Sequence, residues 1–93
     1  MELIVMFDCS TTTKKQRHEC YILHKALKKT GFQMLQYSVY SKYVSTSREA
    51  NRLIKEIQRK APQKSEIRFM KLGDNQFVSM GYSSKATEFV IEI

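Results

Sequence analysis

Asp8, which closes the apolar run of residues 2–7, is the residue best placed to do chemistry in this sequence. A carboxylate at the C-terminal end of a buried strand leaves the core and meets solvent, where its hard oxygen atoms can hold Mg²⁺. Phosphodiester chemistry generally takes two or three carboxylates around the ion. Glu2 stands at the opposite end of the same run and Asp74 in a distant turn. A metal centre therefore needs a second Asp8 from another copy of the chain, brought up across a two-fold axis, with water and phosphate completing the coordination. The plainer account is an aspartate that ends a strand and starts a turn. Nucleophilic alternatives are weaker. Cys9 adjoins Asp8, whose charge raises a thiol pKa, and neither Cys9 nor Cys20 has CxxC spacing, so both read as small buried apolar residues. His18 and His24 lie six apart on an expected helix, on different faces, which argues against a shared metal. No GxSxG, HExxH or glycine-rich phosphate loop occurs.

The second chemical resource is positive charge. Sixteen Lys and Arg against nine Asp and Glu leave a net charge of +7 on 93 residues, and thirteen of those cations, with only three acids, fall in residues 14–64. An excess of this size on a small chain points to a polyanionic partner, nucleic acid first. Lys14, Lys15 and Arg17 stand where a helix is expected to begin, and there backbone N–H groups and the helix dipole favour phosphate. Lys42 and the second helix are weaker candidates, and simple solvation of exposed cations is the alternative. No apolar run approaches the ~18 residues of a membrane span, and no expected helix has the apolar face of a membrane-surface binder. The N-terminal residues lack a basic stretch before the apolar run, so the expected location is the cytoplasm.

The length suits one domain, here residues 1–93, and 42% hydrophobic residues with 11% aromatics exclude a disordered tail. Residues 2–7 read as a buried central strand. Thr13 and Gln16 have capping-box spacing, and Cys20, Leu23, Ala26 and Leu27 continue a helix over residues 14–30 that Gly31 ends. Residues 32–43 are β-rich and too long for one average strand, so they bend or bulge in the middle. Thr46 and Glu49 open a second helix with Ala50, Leu53, Ile54 and Ile57 on its apolar side, and Pro62 forbids its continuation. Residues 66–72 read as a strand, residues 73–75 as a turn and residues 88–93 as a last strand. The order is βαββαβ plus a C-terminal strand, an α+β arrangement of the ferredoxin-like, split-βαβ kind with two helices on one sheet face. The uncovered sheet face argues for a homodimer.

The Phe7-Asp8 strand end, the cations Lys14, Lys15 and Arg17, the pair Gly31-Phe32, the strand Leu35-Gln36-Tyr37-Ser38-Val39-Tyr40 and the stretch Asp74-Asn75-Gln76-Phe77 together resemble a known family. It is that of the small CRISPR-associated adaptation proteins, the second (Cas two) subunit of the spacer-acquisition pair, and the resemblance covers most of the chain. It implies a ferredoxin-like homodimer whose last strand packs on the partner subunit. It also implies a Mg²⁺-dependent endonuclease assignment with Asp8 binding metal at the dimer interface. In the cell, it implies a dimer that bridges copies of the larger CRISPR integrase subunit while a captured DNA duplex, the protospacer, lies across it. Where the family commonly has paired arginines early in the first helix, this chain has Lys14, Lys15 and Arg17, which keep the charge with less bidentate geometry.

The leading expectation is thus an adaptation subunit in antiviral defence that holds duplex DNA by its phosphates. The alternative is a metal-dependent endonuclease acting on RNA or DNA through paired Asp8 residues. An RNA-recognition-motif reading shares the topology but lacks the aromatic-glycine signature of that family's central strand.

Overall fold

A computed structural model describes residues 1–85. The last strand expected at residues 88–93 lies outside the described residues. The elements are β1 (Glu2–Cys9), α1 (Lys14–Lys29), β2 (Gln33–Gln36), β3 (Val39–Tyr43), α2 (Ser47–Lys60), β4 (Ser65–Leu72) and a short α3 (Asp74–Val78). The strands form one antiparallel sheet in the order β2-β3-β1-β4, the ferredoxin-like arrangement, with β1 central between β3 and β4. Among the described residues no helix is long and apolar enough to cross a membrane.

Local chemistry sets the helix ends. At the start of α1 the Thr13 hydroxyl accepts from the Gln16 N–H, while Gln16 Oε1 accepts from the N–H groups of Thr12 and Thr13. The end of α1 is a Schellman turn: Phe32 N–H donates to the Leu27 carbonyl and Gly31 N–H to that of Lys28, with Gly31 at φ +100°. Phe32 and Leu27 are both buried, which completes the motif's apolar contact. The second cap differs in detail from the expected box, because Glu49 reaches past Thr46 to the Ser45 N–H.

Alternation along β1 divides the sheet. Leu3, Val5 and Phe7 face the helices and pack with Leu23, Leu27, Tyr40, Leu53 and Ile57. Each large aliphatic chain buried there contributes about 1.5–3 kcal/mol relative to an exposed one. Lys71 Nζ ties β4 to the first turn of α2 through Ser47 Oγ at 2.9 Å and Asn51 Oδ1 at 2.7 Å. The other face carries Ile4, Met6, Val39, Arg68 and Met70, of which Ile4 is buried and Met70 and Arg68 are exposed, with Asp8 and Glu66 at one end and Tyr43 at the other. Met70 sits on this open face, opposite Ile4, whereas Ile67 and Phe69 face the helices.

One expected feature takes a definite form and one segment departs from expectation. The bend in residues 32–43 is a hairpin, β2 and β3 joined through Tyr37 and Ser38, with Ser38 in the left-handed region at φ 64° and a register shift between Met34 and Gln36. Residues 73–75 open α3 where a turn was expected: Gly73 N–H is capped by Gln76 Oε1, and Asp74, in the first turn, pairs with the N-terminal ammonium at 2.8 Å.

Candidate functional site

β1 continues past residue 7 to Cys9, so Asp8 lies inside the paired strand. Its partner in register is Glu66 of β4, both exposed on the open face. The two carboxylates share a depression of about 260 Å³ with Met6, Tyr37, Ser38, Val39 and Arg68. The hairpin turn is held there because Phe7 N–H donates to the Ser38 carbonyl at 3.1 Å. Two carboxylates and a hydroxyl open to water are hard oxygen donors of the kind that suits Mg²⁺, an ion that keeps several waters and is bound through one or two carboxylates. Among the described residues no group of three or more His, Cys, Asp or Glu converges anywhere. The donor set of one chain thus fits the ion with two carboxylates. Sequence reasoning missed Glu66, Arg68 and Tyr37. Glu66 is far from Asp8 along the chain, and only the strand register brings them together.

Behind Asp8 the strand enters an aromatic core. The His24 ring packs edge-on against Phe7 with centroids 4.8 Å apart, and its Nδ1 lies 2.7 Å from Tyr40 Oη. Burial, and then the Lys28 charge, hold the His24 pKa below its ordinary value, while burial pushes the Tyr40 hydroxyl up to about 12. Burial also pushes the Cys9 thiol up to about 12, reinforced by hydrogen bonding with Cys20 and by the Asp8 charge. A thiol held protonated in this way is a poor nucleophile.

The candidate phosphate contacts are spread over the molecule. The start of α1 follows β1 through a short loop, which puts Lys14 at the Asp8 end of the sheet, exposed. Lys15 Nζ lies 4.0 Å from Glu19. Arg17 Nη1 donates to the carbonyls of Thr11 and Thr12 at 3.1 and 3.3 Å, so its guanidinium fastens the β1–α1 loop. Lys42 pairs with Leu3 in register, which places it at the other end of the sheet, with its Nζ arched over Gly31. The structure therefore groups Lys14, Lys15 and Arg17 and separates Lys42 from them.

Comparison with known proteins is consistent across sequence and fold. The family model described as CRISPR associated protein Cas2 matches residues 1–80. A Parvibaculum lavamentivorans protein named CRISPR-associated endoribonuclease Cas2 is 39% identical over 77 residues, which cover 83% of this chain and 76% of that protein. A Streptococcus mutans protein of the same name is 33% identical over 82 residues, covering 88% and 75%. In fold, the crystal structure of Streptococcus pyogenes Cas2 at pH 6.5 matches with a TM-score of 0.71 at 23% identity, covering 90% of this chain and all of that one.

Proposed function

The chain belongs to the Cas2 family of CRISPR-associated proteins, and on that premise we propose that it is an adaptation subunit: a homodimer that holds duplex DNA by its phosphates and bridges copies of the larger integrase subunit. The observation that carries this reading is the division of the molecule into two unlike sides. Eleven of the sixteen Lys and Arg lie on α1 and α2, all exposed. The opposite side is the other sheet face, where half-buried Met6 and Val39 and the 42% exposed Met70 form an apolar patch beside Arg68. An apolar patch of this kind on so small a chain suits burial against a second copy, and a two-fold pair then displays its cationic layers outward. Lys14 and Lys15 are the phosphate contacts at the α1 start, and Arg17 supports them by holding the loop.

A second reading is favoured by Asp8 facing Glu66 and by the name endoribonuclease carried by the relatives. Mg²⁺ bound there would supply a Lewis acid and a more acidic bound water for phosphodiester hydrolysis of RNA or DNA. Asp8 and Glu66 would hold the ion, Ser38 and Tyr37 would wall the site, and Arg68 would offer a cation to a phosphate oxygen. Spacer integration reconstituted with the Asp8→Asn chain separates the two. Retained integration supports the bridging role, and loss of integration with assembly intact supports the enzyme.

A further inference from the structure

The outer face of α2 carries Arg48, Arg52, Lys55 and Arg59 at spacings of four, three and four residues. At about 100° per residue they fall within a stripe roughly 60° wide, and at about 1.5 Å per residue the stripe is about 16 Å long. It lies on the side of the helix away from the buried residues Ala50, Leu53 and Ile57. Arg48, Asn51, Arg52 and Lys55 line one shallow depression. Among the described residues these cations are little engaged. Among the described residues Arg48 and Lys55 have no carboxylate within salt-bridge distance, and Arg52 meets only Glu56, at 3.7 Å. At the start of α1, by contrast, Arg17 is spent on two loop carbonyls.

We propose that this stripe tracks the phosphate backbone of a nucleic-acid duplex, touching one strand without reading its bases. The proposal deepens the function argued above and rests on its duplex-binding part. One strand of a duplex presents a charge every 3.4 Å or so of axis, so the stripe faces about five phosphates, and arginine's fork suits them bidentately. The flanking side chains are Asn51, Glu56 and Gln58. None is an apolar or aromatic anchor, which a protein interface generally places at its centre. None can enter a lipid surface either.

The test is duplex binding by the full chain, measured by fluorescence anisotropy on two unrelated sequences across a salt series. A triple variant, Arg48→Ala with Arg52→Ala and Lys55→Ala, should weaken both duplexes alike, by roughly tenfold or more at low salt. It should also flatten the plot of log K against log salt by about 0.9 for each phosphate no longer neutralised. The variant Glu56→Gln removes the acid that holds Arg52 at 3.7 Å and Lys60 at 3.3 Å, and should tighten binding and steepen the slope. Circular dichroism checks that the exposed substitutions leave the fold intact. Wild-type binding that the triple variant reproduces, in affinity and slope, overturns the stripe and leaves the duplex-binding function standing. Absence of wild-type binding at low salt overturns both. Polyglutamate competing as well as duplex at equal charge overturns the assignment to nucleic acid in favour of an acidic protein.

Discussion

Asp8 on β1 and Glu66 on β4 stand directly opposite each other on the open face of the sheet, so the nearest cross-strand neighbour of each carboxylate carries the same charge. Like charges in that position repel, and a cation between them turns the repulsion into shared coordination.

The first prediction follows from that pairing. At low ionic strength without divalent metal, Asp8→Asn or Glu66→Gln should raise stability by about 0.2–1 kcal/mol, because one of two opposed charges is gone. Adding Mg²⁺ should raise the melting temperature of the wild type more than that of either variant, since an ion that binds only the folded site stabilises it by mass action. Thermal unfolding with and without Mg²⁺ measures both. If the chain cleaves nucleic acid by its own chemistry, the same two substitutions should each abolish cleavage.

A second prediction concerns pH. His24 is 1% exposed, packed among Phe7, Tyr37 and Tyr40 with Lys28 as the charge acting on it, and its folded pKa lies below the ordinary 6.5. The unfolded chain therefore binds the proton more readily. Stability from the neutral ring is fully present above pH 6.5 and declines as pH falls below it toward the folded pKa, by at most about 1.4 kcal/mol per unit. Urea unfolding at pH 7.5 and pH 5 should show this loss. In His24→Phe the portion due to the imidazole should vanish.

Gly31 supplies a third prediction. At φ +100° it occupies a conformation that side chains rarely adopt, and a Cβ there would lie 2.8 Å from Lys42 Nζ. The lysine end can swing aside, so the cost is chiefly backbone strain. Gly31→Ala should lower stability by about 1–2 kcal/mol, read from the urea midpoint at unchanged slope.

A fourth prediction addresses the sheet face. Met70 lies on it beside Ile4, and Met70→Glu puts a charge where a second copy is proposed to pack. Light scattering should find the wild type dimeric and this variant shifted toward the monomer, with its far-ultraviolet circular dichroism unchanged. A variant that stays fully dimeric places the interface elsewhere.

What could be read from the residues alone was whatever short-range chemistry decides. Thr13 with Gln16, Gly31 before Phe32, and the apolar spacing of Ala50, Leu53 and Ile57 each act within a helical turn or so, and each stands where the pattern put it. The hairpin at Tyr37 and Ser38 was harder, because a serine at positive φ carries none of the glycine or asparagine signal that marks such turns. The short α3 depends on Gln76 folding back to Gly73, a contact that competes with the turn chemistry of Gly-Asp-Asn. Asp8 could be singled out by its place at the end of an apolar run. Glu66 could not, since strand register is a long-range property and a shift of one residue would have turned it to the other face. Arg17 reads in sequence as a free cation, and only the path of the loop shows its guanidinium committed to two carbonyls.

A dimer of this chain is proposed to bridge integrase subunits around duplex DNA. The most direct measurement is the mass, by size exclusion with light scattering, of the species formed when the chain, the larger integrase subunit and a duplex are mixed. One species is expected, containing two copies of this chain together with integrase and DNA, and it should fall apart as salt is raised. Integrase and duplex eluting together while this chain elutes apart from them at low salt would contradict the bridging role.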